Sequence, residues 1–337
     1  ALSSAASDVY KRQILTGFGF LASSIAWAIY DPYITKILNR LLTSSATITS
    51  WSTKLNEAFP KLAEFAAANG EDVATAAGGI TLVPLFIGII MTFDNIFGVI
   101  FQPTFGKLSD NTHSRFGKRR PYVIFGAPIS AVLFAIIPLV AVKSGSLPLT
   151  MLFIILFVFI MSLWRAPVVA LMPDLTPSEI RSEGNAVINL MGTAGGILVL
   201  AIGMAFATSS VRNSLMSYTA YFAVIAGIML VALLIFRLTV NEPKFVAEMQ
   251  ADSKRFGIDN GDSDDAPAGS GKLGKAERRS LIFLLLSIVL WFFGYNAVTS
   301  KYSVYASNIL HKDYNLTLML SLIHISEPTR LQLISYA

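Results

Sequence analysis

Seven apolar runs, each about the 20 residues a helix needs to cross a bilayer, leave few folds open to this chain. In hydrocarbon every backbone N–H and C=O has to be bonded inside the protein, so such runs become helices. They fall at 14–38, 80–105, 122–142, 149–172, 185–207, 218–240 and 281–310, and an eighth begins near Leu316. A longer polar segment, 43–79, separates the first two and includes the helix-like KLNEAFPKLAEFAAA, an amphipathic outer loop. Charged residues make up only 14% of the chain and hydrophobic ones 54%, against about 25% charged in a soluble protein. The expected fold class is therefore an all-α polytopic membrane protein. With no cysteine, disulfides and thiolate ligands are excluded. The net charge of +5 resides in particular loops, so topology explains it better than nucleic acid does.

The two ends do not fit this pattern. Residues 3–13, SSAASDVYKRQ, have neither an apolar period nor capping residues. They translate, codon by codon, a transposase sequencing adapter. Residues 320–330, LSLIHISEPTR, translate the opposite adapter, and ISYA at 334–337 fits the flow-cell sequence beyond it. The expectation is that 1–13 and 320–337 are adapter-derived tails that make few specific contacts. The natural part would be 14–319, cut from a longer gene.

The remaining organisation is a six-helix transmembrane bundle at 14–240, a flexible cytoplasmic linker at 241–280 and the truncated start of a second bundle at 281–319. The linker expectation rests on the Gly, Asp, Ser and Pro content of 241–280. Lys and Arg gather in the loop after the second span, at Arg181 and at 272–279, all on one face. That face is read as cytoplasmic, with the natural N-terminus inside. A weak internal repeat aligns Tyr30, Tyr33, Ile37 and Leu38 with Tyr302, Tyr305, Ile309 and Leu310.

The most specific motif is QPTFGKLSDNTHSRFGKRRP, 102–121, where Gly106, Asp110, Arg115, Gly117, Arg119 and Arg120 stand in fixed order. Positive-inside topology explains the basic residues but not the spacing of Gly106 and Asp110. The order Gly-x-x-x-Asp followed by Arg-x-Gly-x-Arg-Arg-Pro resembles the loop between the second and third helices of major facilitator superfamily transporters. The Gln-Pro ahead of it and the Ser-Arg-Phe-Gly inside it resemble the glycoside–pentoside–hexuronide:cation symporters, and most closely sucrose transporters and their bacterial relatives. The resemblance implies half of a major facilitator fold plus the first helix of the second half. It implies a monomeric sugar symporter of a bacterial inner membrane, working by alternating access between parallel repeats, with sugar, cation and lipid as partners and no cofactor. It also implies that the loop is a cytoplasmic gate between the halves.

Several side chains within the spans carry possible chemistry. Asp94 lies in mid-membrane, where an ionisable group is expensive and faces a cavity or a partner. Asn95 is its neighbour, and Gly98 and Gln102 follow Asp94 at i+4 and i+8. Arg165 is the one cation of the fourth span and needs an acid or a ligand; Asp94 is the acid expected to pair with it. The resemblance assigns these two to cation coupling. Melibiose-type members carry Asp where Gln102 stands here, so protons are favoured over sodium. Asn185 and Asn189, with Gly192 and Gly196 on the same stripe, suit either sugar hydroxyls or neighbouring helices. Trp27, Tyr30 and Asp31 in the first span, and Tyr295, Asn296 and Lys301 in the seventh, are candidates for a sugar cavity.

Other functions fit less well. A prenyltransferase-type membrane enzyme would need aspartate-rich pairs for magnesium diphosphate, and none lies at a span edge. GSGKLGKA, 269–276, lacks the Ser or Thr and the preceding strand of a phosphate loop. No metal site is expected. The chain is read as a transporter, not an enzyme, with an uncoupled sugar facilitator and an inactive truncated fragment as the alternatives.

Overall fold

A computed structural model of the chain describes residues 2–69, 79–206, 218–256 and 274–308, and the side chains within them other than those of 2–8, 66–69, 93, 94, 99, 256, 292 and 295–308. The described residues are helical almost throughout, in the order α1 (Leu2–Thr43), α2 (Ala46–Ala58), α3 (Pro60–Asn69), α4 (Val83–Asp110), α5 (Arg120–Ser144), α6 (Leu147–Asp174), α7 (Arg181–Ala205), α8 (Thr219–Thr239), α9 (Glu242–Phe256) and α10 (Lys275–Asn308). A single 3₁₀ turn, Ser178–Ile180, leads into α7. Six of these segments, Val9–Thr43, Val83–Asp110, Arg120–Ser144, Leu147–Asp174, Ser178–Ala205 and Thr219–Thr239, are long and apolar enough to cross a membrane. They match the first six expected spans. A proline in the first turn starts α4, α5 and α6, where its missing N–H has no helical partner to lose.

α1 is the hub. It packs along α7 and α8, while α5 joins α6 to α8 and α4 lies against α6. Tyr30 of α1 stacks on Phe157 of α6 at 5.5 Å, Phe157 meets Phe134 of α5 at 5.4 Å, and Phe134 stacks on Phe222 of α8 at 4.5 Å. This chain of rings ties four helices together, each contact contributing about 0.5–1.5 kcal/mol beyond area burial. Tyr30 was expected in a sugar cavity; it is 1% exposed and belongs to this core instead. Its ring bridges α1 and α6. On α4, Phe97, Phe101 and Phe105 recur at one-turn spacing, and the last two meet Phe159 of α6 edge-on.

Because lipid is as apolar as a leucine side chain, helices in a bilayer associate through close packing rather than hydrophobic gain. α1 and α7 meet at Gly192 and Gly195. A Cβ at Gly195 would lie 3.1 Å from Ile25 and 3.3 Å from the Leu21 carbonyl oxygen. Gly196, placed by the sequence on the same stripe as Gly192, has open space around it; the contact falls at i+3, not i+4. Gly195→Leu should therefore force the two helices apart and cost about 3 kcal/mol, the upper range for overpacking. Gly196→Leu should change stability by under about 1 kcal/mol. Equal losses for the two variants in detergent unfolding would contradict this interface.

Two other expectations are corrected. The tail at 1–13 was expected to make few contacts, yet Arg12 is buried, donating to Asp252 at 2.7 Å and reaching Glu248 at 3.6 Å. Gln13 also donates to the Thr176 hydroxyl. The helix of the first span continues backwards, and Glu248 and Asp252, one turn apart on α9, supply the charge that a buried guanidinium requires. The segment 241–280 was expected to be a flexible linker, but it opens with α9, whose Phe245, Met249 and Ser253 are buried at one-turn spacing. A low-complexity stretch later in a segment says nothing about an amphipathic turn at its start.

Candidate functional site

The charged centre of the bundle forms between α1 and α6. Trp27 and Asp31 are four residues apart and so share a face of α1. Arg165 of α6 lies with its guanidinium over the Trp27 ring, 5.1 Å from the centroid. Among the described side chains, Asp31, exposed on α1, is the acid whose charge acts on Arg165, short of a direct ion pair. Asp94, the partner expected from the sequence, has its side chain outside the described residues. Asp31 was missed as a partner because depth along two different helices has to be read from tertiary packing. Its signal was present: Asp31-Pro32 and Arg165-Ala166-Pro167 both set a charge beside a proline. Proline removes a backbone donor and bends the helix, which frees a carbonyl one turn earlier.

Trp27 also meets Tyr30 edge-on at 5.2 Å, and its buried indole Nε1 has no hydrogen-bond partner among the described residues. The cluster thus combines a forked cationic donor, a carboxylate acceptor, an aromatic face and a spare N–H donor. These are the groups that bind a polyhydroxylated ligand or hold a proton within a bundle.

The other expected residues are more dispersed. Asn95 is exposed and donates to the Met91 carbonyl at 3.3 Å. Gln102 is half-buried on α4. Asn185 and Asn189 are both exposed, and Asn189 donates to the Asn185 carbonyl at 2.9 Å rather than to another helix. The side chains of Tyr295, Asn296 and Lys301 lie outside the described residues, although α10 runs through all three positions.

A second cluster closes the end of the bundle that bears the basic loop. Arg119, 8% exposed, is its centre. It pairs with Asp110 at 2.7 Å, with Asp174 through Nε and Nη2, and donates to the Ser109 hydroxyl at 3.1 Å. Burial works against the Arg119 charge, but the hydrogen bond and charge of Asp174 and the charge of Asp110 outweigh it and raise its pKa above the ordinary arginine value. Glu242, 3% exposed at the start of α9, accepts the backbone N–H groups of Lys118 at 2.8 Å, Arg119 at 3.1 Å and Arg120 at 2.7 Å. A carboxylate thereby takes the first N–H of α5 and the two N–H groups just ahead of it, at the positive end of the helix. Gly117, with φ +107°, is the turn that lets this happen, since a Cβ there would collide with the Glu242 carboxyl. Arg120 donates to the Arg237 carbonyl at 2.7 Å. Arg115 is exposed and lies over the Phe116 ring, and Gly106 has open space around it.

Glu242 was not among the expected site residues. Its signal was Asn241-Glu242-Pro243 directly after the sixth span, an acid and a proline in the first turn of a helix.

With this geometry in view, comparison with known proteins is informative at one level. The family model for the Major Facilitator Superfamily matches residues 13–326. No curated protein matches the chain. Among solved structures, it is similar to the inward-open conformation of the xylose transporter XylE from E. coli, at 17% identity and a TM-score of 0.40, over 74% of this chain. The chain spans about half the length of that structure, 52%.

Proposed function

Because this chain belongs to the major facilitator superfamily, we propose that it is part of a proton-coupled symporter for a disaccharide or related glycoside. We place it in the glycoside–pentoside–hexuronide branch that resembles sucrose transporters. The protein sits as a monomer in a bacterial inner membrane, with the Arg119 end cytoplasmic. The family is one of transporters rather than enzymes. The observation that carries the proposal is the Arg165–Asp31–Trp27 cluster between two proline-containing spans.

In this mechanism Arg165 is shared between acids and sugar. Asp94 carries the proton, Asp31 holds Arg165 near the indole, and sugar hydroxyls compete for the guanidinium. A sugar that draws Arg165 away from an acid favours the protonated form of that acid, and linkage requires protonation to favour sugar in return. The two halves then rock around the loaded site. The Arg119 network, held by Asp110, Asp174 and Glu242, is the rigid cytoplasmic corner against which the second half of the fold closes.

The test uses the uninterrupted gene, reconstituted in vesicles. Sugar added outside should draw protons inward and raise the external pH. Asp94→Asn should abolish that proton movement but keep sugar exchange, since Asn mimics the protonated acid. Concentrative, pH-dependent uptake by Asp94→Asn would leave Asp94 a structural residue. Uptake by the parent protein with no proton movement would identify an uncoupled facilitator.

A further inference from the structure

We propose that α2 and α3 are a lipid-interface anchor, lying in the headgroup–acyl boundary at the end of the bundle opposite the Arg119 network. This rests on the chain spanning a membrane and not on what it transports.

The position follows from the fold. Gln13 of α1 bonds Thr176 at the Arg119 end. α1 then runs on to Thr43, about 45 Å further at 1.5 Å per residue. α2 therefore begins at the far side of the membrane. It does not project away. Asn56 accepts the Ile80 N–H at 2.8 Å and donates to the Ile80 carbonyl at 3.1 Å, and Ser52 accepts the Leu82 N–H at 3.1 Å. Two successive turns of α2 are thus fastened along the run-in to α4. Trp51 lies against Phe86 in the first turn of α4, ring centroids 5.9 Å apart.

The exposed surface of the pair is apolar. Trp51 is 47% exposed, Phe59 56%, Leu62 53% and Phe65 65%. It continues directly into Leu85 and Ile89, exposed on the membrane-spanning α4. That continuity identifies the occupant as lipid: the same bilayer that covers Leu85 and Ile89 covers the neighbouring rings. On α3, Phe65 and Leu62 stand about 40° and 100° round the helix from Lys61, and Glu64 about 60° the other way, so Glu64 points furthest from the apolar pair. Such a helix lies in the interface with its apolar side about 5–10 Å deep, and tryptophan at its edge is typical of that depth. Lys54 and Lys61 are balanced by Glu57 and Glu64, so attachment is apolar and needs no anionic lipid.

The absence of native cysteine makes the test direct. Single variants Lys61→Cys, Leu62→Cys, Glu64→Cys and Phe65→Cys of the whole chain are spin-labelled and reconstituted in phosphatidylcholine vesicles, with and without phosphatidylglycerol. Collision with oxygen reports lipid, and collision with a water-soluble nickel chelate reports solvent. Labels at 62 and 65 should favour oxygen over nickel several-fold more than the label at 64, with 61 between them, equally in both vesicles. Four labels equally open to nickel would overturn the proposal, as would a label at 64 no more open to nickel than those at 62 and 65. Spin–spin broadening at 62 and 65 that vanishes on dilution with unlabelled chain would also overturn it, by showing that a second copy covers the face.

Discussion

Glu242→Ala should destabilise the bundle by about 3 kcal/mol, because three backbone donors at the start of α5 lose a charged acceptor in a buried place. A single exposed cap contributes about 1 kcal/mol; here one carboxylate serves three donors and is itself almost out of solvent. Glu242→Gln keeps one carbonyl oxygen and should lose about half as much, since hydrogen bonds to a neutral acceptor are about half as strong. Gly117→Ala should displace the same carboxyl, so the double variant with Glu242→Ala should lose less than the sum of the two single losses. Equilibrium unfolding in mixed micelles measures all three variants. A loss below about 0.5 kcal/mol for Glu242→Ala, the range of an ordinary surface change, would show that the cap is not a support of the fold.

The second large effect is expected at Arg165. Arg165→Ala leaves Asp31 without the cation it faces among the described side chains. An unpaired charge inside a transmembrane helix costs about 3 kcal/mol, which is roughly a hundredfold in an equilibrium constant. Sugar binding by the full-length protein should weaken by about tenfold to a hundredfold, the equivalent of the roughly 1.5–3 kcal/mol that a hydrogen bond from a charged donor contributes. Asp31→Asn in the same background should restore stability, because it removes the stranded charge, but should not restore binding. If Asp31→Asn brings no recovery of stability, the two residues are not energetically paired. Trp27→Phe keeps a ring under the guanidinium but removes the spare N–H. It should weaken sugar binding while leaving stability nearly unchanged.

Much of the fold was legible from the chain alone because bilayer physics is local. A run of 20 or so apolar residues has to be a helix whatever its neighbours do. The six spans consequently emerged close to their expected ends. The site was less legible, for a physical reason visible at Tyr30 and Asp31. These adjacent residues lie on different sides of α1, one buried inside the ring stack and one exposed near Arg165. Both were grouped as cavity residues, since composition does not reveal which arc of a helix meets which neighbour. Gly195 and Gly196 differ in the same way, one against Leu21 and Ile25 and the other in open space.

By itself the sequence determined the number and order of the first six spans, the fixed spacing of Gly106, Asp110, Gly117 and Arg119, and the family to which they belong. These depend on hydrophobic length and on a short contiguous motif, both complete within a single stretch of chain. Only the tertiary structure decided that Glu242 caps α5, that Asp174 completes the Arg119 network and that Arg165 faces Trp27 and Asp31. Each joins residues 55 to 138 positions apart, numbers that follow from 174 − 119 and 165 − 27. A buried charge must find its counter-charge wherever packing brings one, and no local pattern records where that is.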